Sequence, residues 1–155
     1  MQQLKAKLKK QGGFTLIEML IVVAIIAILI AISIPLVNGA LEKARDATDQ
    51  ANERAAKGLA LLYFMGATED KLTEGSKTYT PGTAMTGTPD DANAIYYNAK
   101  DGTLTFTKPK GYGQCVNKDT CYGGAAGTSH IGQVIQVEVT DKGEFKPHWV
   151  AGATS

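Results

Sequence analysis

From Phe14 to Val37 the chain is apolar at almost every position, and its one ionisable side chain there is Glu18. As a helix this run is about 36 Å long at about 1.5 Å per residue, enough to cross a hydrocarbon layer of about 30 Å with some tilt. Beyond it the pattern changes. In "ALEKARDATDQANERAAKGLALLYFMG" the residues Leu41, Ala44, Thr48, Ala51, Ala55, Leu59 and Leu62 recur three or four apart with charges between them. This spacing predicts an amphipathic helix ending near Gly66, a C-cap. Its small apolar stripe suits close packing on a sheet, and its N-terminal half can equally line a helical bundle. Pro35 removes one helical hydrogen bond and Gly39 follows one turn later, so a kink or loosened turn is expected between Ile32 and Ala40. An ordinary boundary between a membrane span and a soluble helix is the plainer reading of the same pair.

From Ala67 to Ala92 the composition shifts to Thr, Gly, Pro and Asp, which predicts a long irregular surface connection with a short helix around Glu69–Glu74. The remainder reads as β structure. Alternating residues flank Asp101-Gly102 in "AIYYNAKDGTLTFTK", a hairpin signal. A second hairpin runs from "IGQVIQVEVT", with Ile131, Val134 or Ile135, Val137 and Val139 as its apolar positions, through Asp141-Lys142-Gly143 into "EFKPHWVA". The predicted class is α+β: a long N-terminal helix, half membrane-like and half amphipathic, packed on a small antiparallel sheet.

The chain of 155 residues has room for one domain plus an anchor. A formal charge of +1 excludes a strongly basic nucleic-acid binder. The charge is unevenly placed: Lys5, Lys7, Lys9 and Lys10 all precede the apolar run, and +1 less these four lysines leaves −3. Lysines ahead of the span orient it with the leader in the cytoplasm and the C-terminal body outside. A secretory signal carries its small-residue cleavage site after the apolar core. Here the small pair Gly12-Gly13 comes before it, so a cut at Gly13 leaves the apolar helix on the product.

The stretch "KKQGGFTLIEMLIVVAIIAILIAISIP" resembles the N-terminus of a type IV prepilin. The features that carry the resemblance are a short basic leader ending in Gly13, the aromatic Phe14, an acid at the fifth position after the cut, Glu18, and Pro35 within the apolar helix. The resemblance implies a leader at 1–13, a membrane and assembly helix at 14–37 and an extracellular body at 38–155. It also implies that a prepilin peptidase cuts between Gly13 and Phe14 and methylates the new amine. Further implied partners are a cytoplasmic assembly ATPase, a platform protein in the membrane and other copies of the chain. The precursor would sit in the cytoplasmic (inner) membrane and the product in an extracellular filament. Similar pilins lose helicity around the proline on assembly, which Pro35 and Gly39 would permit.

Two readings of Glu18 stand side by side. Thr15 with Glu18 three residues later has the spacing of a capping box, and an acid in the first turn suits the helix dipole by roughly 0.3–1 kcal/mol. Alternatively, an acid in an apolar assembly needs a cation, since an unpaired buried carboxylate costs several kcal/mol. Cleavage creates one in the Phe14 amine. If helices pack with an axial stagger, Glu18 of one subunit meets that amine on a neighbour, and an unmatched acid penalises every other register.

Cys115 and Cys121 are the only cysteines. An oxidising exterior favours a disulfide between them, of order 2–3 kcal/mol for so small a ring. Many pilins close a larger C-terminal loop. A metal site is the rival, but two thiols five residues apart without paired histidines support it poorly. His130 and His148 read as isolated surface or strand histidines. "YGGAAG" lacks the Lys-Ser/Thr ending of a phosphate loop and reads as a turn. No nucleophile, base and orienting acid form a constellation, so neither catalysis nor a cofactor is expected.

The function this implies is a structural subunit of a type IV pilus, serving adhesion, motility, biofilm growth or DNA uptake. A pseudopilin of a type II secretion or competence machine has the same N-terminus, although the acidic calcium-site pattern of major secretion pseudopilins is not clear in "VEVTDKGEFKPHWV". A membrane-tethered binding module or enzyme would use the helix only as an anchor. The leader makes a direct prediction. Intact-mass analysis of protein sheared from cells should find an N-methylated Phe14 at the start, and Gly13→Leu should leave uncut precursor in the membrane.

Overall fold

A computed structural model describes residues 13–69, 71–86, 88, 91–116, 121 and 129–154. The order of elements is helix α1 (Leu16–Met65), then strands β1 (Thr73–Glu74), β2 (Lys77–Thr78), β3 (Ile95–Asn98), β4 (Thr103–Thr105), β5 (Gln133–Val139) and β6 (Phe145–Ala151). This is an α+β fold. The chain divides into two units, one up to Gly39 and one from Ala40 onward. The lysine-rich leader and the "YGGAAG" turn lie outside the described residues.

In the first unit Pro35 lies inside α1, whose helix includes residues on both sides of it. Every large apolar side chain from Phe14 to Val37 is exposed. The helix ends where the sequence predicts: Gly66 takes a positive φ of 65°, and the Ala67 amide bonds the Leu62 carbonyl at 3.0 Å, a glycine-terminated C-cap.

The second unit is built on an antiparallel sheet ordered β4-β3-β5-β6. Both predicted hairpins form. Val139 pairs with Phe145 at the head of the β5–β6 hairpin, around a turn closed by Gly143 at φ 79°. Asn98 pairs with Thr103 in the β3–β4 hairpin, so the turn spans 99–102 and is longer than the Asp-Gly pair alone. The Asn98 side chain explains the length: its Oδ1 accepts the Lys100 amide and its Nδ2 donates to Asp101, a local turn that Asn favours. Pro147 lies on β6, which pairs with β5 alone, a position where the missing donor costs no ladder bond.

Small residues let the helix approach the sheet closely. Ala56 and Ala60 are fully buried against Ile95, Tyr97, Leu104, Ile135, Val137, Val139 and Met85. The buried helix face is not the predicted one. Asp49, Glu53, Ala56 and Ala60 are buried, whereas Leu41, Ala44, Thr48, Ala51, Ala55 and Leu62 are exposed and Leu59 is half-buried. The true stripe lies one residue further along, a rotation of about 100°. It was missed because two of its members are acids whose burial depends on partners distant in sequence.

β5 is buried on both faces, and the choice between Val134 and Ile135 disappears because both are in the core. On the face away from the helix, Gln136 Nε2 donates to the Thr88 carbonyl at 2.8 Å, while Val134 packs with Ala94 and Tyr96. Tyr112 supports the short β3–β5 ladder. Its hydroxyl donates to the Tyr97 carbonyl at 2.8 Å and accepts the Ile135 amide at 3.0 Å, and burial raises its pKa. Three segments cross without room for side chains: a Cβ on Gly113 would lie 2.1 Å from the His130 carbonyl oxygen, and one on Gly152 would lie 2.3 Å from the Gly111 amide nitrogen.

The predicted short helix around Glu69–Glu74 is instead the β1–β2 hairpin, with Glu74 paired to Lys77. Its turn uses Gly75 at φ 60°, and Glu74 ties it to the end of β4. Oε2 accepts from Thr105 Oγ1 at 2.6 Å, the Phe106 amide at 2.8 Å and the Thr107 amide at 3.0 Å, and Oε1 accepts from Thr107 Oγ1. These long-range bonds override the local helical preference.

Hydrogen bonds from Thr105 and Thr107 lower the Glu74 pKa from 4.5 to about 2. A depressed folded-state pKa contributes stability that is fully present above the ordinary value and is lost as pH falls through the window from 4.5 to about 2. Glu74→Gln should therefore lower stability at pH 7, by about 1 kcal/mol at most because solvent screens so exposed a carboxylate. Thermal unfolding of the full chain in detergent checks this, with the gap to wild type shrinking as the buffer is taken down toward pH 3.

Candidate processing and assembly site

Gly13 precedes α1 in irregular backbone and is exposed; a Cβ added to it would meet nothing within 4 Å. Phe14 is 79 % exposed. The peptide between them lies in irregular, exposed backbone just before α1 begins at Leu16.

Thr15 and Glu18 form the capping box. Glu18 Oε2 accepts from the Thr15 amide at 2.8 Å and from Thr15 Oγ1 at 2.7 Å, and the Glu18 amide donates to Thr15 Oγ1 at 3.3 Å. Glu18 thereby has its local role in the isolated chain. Both of these bonds use Oε2, and Oε1 accepts none among the described residues. One oxygen at the head of a bare apolar helix stays open to a donor from outside the chain.

The body holds a second arrangement that sequence reading missed. Asp49 is fully buried on α1, where its carboxylate accepts the Gln114 amide at 3.1 Å, the Cys115 amide at 2.8 Å and His130 Nδ1 at 3.1 Å. His130 is not a surface histidine: it is buried and stacks on Trp149 with ring centroids 4.1 Å apart. The Trp149 Nε1–H in turn donates to Glu53 at 2.6 Å. Burial raises the Glu53 pKa against this bond. Asp49 thus ties described residues of the connection from β4 to β5 to the helix, and Glu53, four residues on, ties β6 to it.

Cys115 and Cys121 are joined in a disulfide, and the His130 amide bonds the Cys115 carbonyl at 2.9 Å. The bridge therefore rests on the segment that Asp49 holds. His148 is a strand histidine, half-exposed on β6, with Nε2 2.5 Å from Glu138 Oε2. No group of three or more metal-ligating side chains occurs among the described residues. A heptad-independent signal for the buried cluster did exist in the sequence: Asp49 and Glu53 lie four apart on one face, at a spacing that the chosen apolar stripe left unexplained.

The N-terminal helix is long and apolar enough to cross a membrane. Residues 8–34 match the family model of the prokaryotic N-terminal methylation motif, the class III signal peptide of type IV pilins. The motif supports a type IV pilin-like or pseudopilin precursor, and the helix and motif together fit anchoring in the inner membrane. The motif implies processing by a prepilin peptidase and handling by pilus assembly machinery. No solved structure matches the chain.

Removal of Asp49 tests what holds the body together. Asp49→Ala leaves two amides and a buried imidazole without their acceptor and should cost about 3–5 kcal/mol, as for other broken buried pairs. Leu41→Ala on the exposed helix face should stay within about 0.5 kcal/mol. Denaturant unfolding of both variants, followed by Trp149 fluorescence, measures the difference.

Proposed function

We propose that this chain is the structural subunit of a type IV pilus. It is cut between Gly13 and Phe14, methylated on the Phe14 amine and polymerised through its apolar helix. The observation that carries this reading is Glu18, bonded through Oε2 alone among the described residues, at the head of a helix whose apolar side chains are exposed. A simple anchor needs no acid there beyond a cap. A packed bundle of such helices needs a cation for it, and the cut supplies that cation on Phe14.

The exposed stripe of the amphipathic half supports the same reading. Leu41, Ala44, Thr48, Ala51 and Ala55 are apolar or small and are not used by the body, so they extend the surface offered to neighbouring helices below the span. Pro35 and Gly39 sit where a loosened turn would let subunits adjust as they pack. The machinery this requires is a cytoplasmic ATPase and a platform membrane protein, with the body outside and the filament on the cell surface. The chain acts by assembling, without catalysis of its own, in adhesion, motility, biofilm growth or DNA uptake. A pseudopilin shares the motif. Electron microscopy of the cell surface separates a long filament from the short assembly of a secretion or competence machine.

Glu18→Gln keeps size and some capping capacity while deleting the charge. Cells expressing only this variant should insert it normally, fold the body normally and lose most filaments; normal filament number would leave capping as the whole role of Glu18. Glu18→Lys should assemble still less, because it sets two cations together in an apolar surrounding. Counting filaments by microscopy for the three chains ranks them.

A further inference from the structure

The stretch after α1 encloses a cleft. The β1–β2 hairpin, the segment that follows it, the start of β3 and the residue after β4 surround a volume of about 420 Å³, within the size range of small-molecule sites. Its lining includes the buried side chains of Met85 and Ile95, which give it an apolar base. The exposed residues Ser76, Thr78 and Thr80 and the side chain of Phe106 also line it. Lys77 is the one charged side chain lining the cleft among the described residues, and its Nζ lies 5.8 Å from the Phe106 ring centroid. Among the described residues it forms no ion pair there: its partner across the hairpin, Glu74, gives its oxygens to Thr105, Phe106 and Thr107.

We propose that this cleft binds a carbohydrate ring that carries a carboxylate, a hexuronic acid residue. The carboxylate meets Lys77 Nζ, one face of the ring lies on Phe106, and ring hydroxyls exchange hydrogen bonds with Ser76, Thr78 and Thr80. Each part of the lining selects for one part of that ligand. Hydroxyl side chains both donate and accept, as ring hydroxyls do. A single ammonium is one compact positive charge with three donors, which suits a lone carboxylate. A phosphate group is better served by a fork of several donors or a nest of backbone amides, and a wholly apolar ligand would leave three hydroxyls unpaired.

The Glu74 latch makes the site preformed. Lys77 and Phe106 come from segments nearly thirty residues apart, yet the four bonds to Glu74 hold the hairpin against the end of β4 before any ligand arrives. Ordering done in advance lowers the entropic cost of binding. The site belongs to the body alone, so its test does not depend on filament assembly.

The full chain in detergent micelles is titrated with methyl β-D-glucuronide, and with methyl β-D-glucoside as its neutral counterpart, by saturation-transfer NMR. The expected result is saturable glucuronide binding, about tenfold tighter than that of the glucoside. Lys77→Met should weaken the glucuronide about tenfold and leave the glucoside unchanged, and Lys77→Arg should restore most of the difference. Absence of saturable glucuronide binding, equal affinity for the two sugars, or an unaltered affinity in Lys77→Met would each overturn the proposal. The comparison of the two sugars on the unaltered protein needs no variant to fold.

Discussion

One buried carboxylate organises the body. Asp49 lies inside the structure on a helix, where an unsatisfied charge would cost several kcal/mol. It is tolerable only because two consecutive backbone amides and an imidazole converge on it. Those three donors belong to the connection between β4 and β5. The same interaction therefore seats the helix on the sheet and gives an irregular segment a fixed path. Trp149 then closes the cluster, stacked on His130 and bonded to Glu53, and the disulfide sits on the segment so held.

This placement also frees the opposite side of the helix. If the body had used Leu41, Ala44, Thr48, Ala51 and Ala55 for its own core, the amphipathic half would have had no apolar surface left to offer. By burying acids with dedicated donors and keeping only Ala56 and Ala60 as small contacts, the body takes the more polar face and leaves the more apolar one outward. A subunit intended to pack through its helix gains from that division. Two acids of α1 follow one logic: Asp49 has its donors within the chain, and Glu18 is bonded through one oxygen only among the described residues.

Carboxylates again decide the fold in the irregular stretch. Glu74 draws four donors from three successive residues, and this converts a segment of weak local preference into a docked hairpin with a cleft beside it. Stability drawn from a single ionised group carries a pH dependence with it, since protonation removes most of its capacity to accept.

What the sequence determined by itself was whatever depends on neighbours along the chain. An apolar run of spanning length, its capping box, the glycine at the end of α1 and the two hairpins are local, and each is legible because its period, cap or turn residues act within a few positions. The N-terminal motif is legible for the same reason, since the peptidase substrate and the helix head are contiguous. Only the tertiary structure decided which face of the amphipathic helix is buried, that His130 belongs to the core, that 73–78 is a hairpin and that the Asp-Gly turn takes four residues. In the first three, polar side chains are satisfied by groups tens of residues away. Apolar periodicity reports which residues avoid water, and it carries no information on where a buried acid will find its donors.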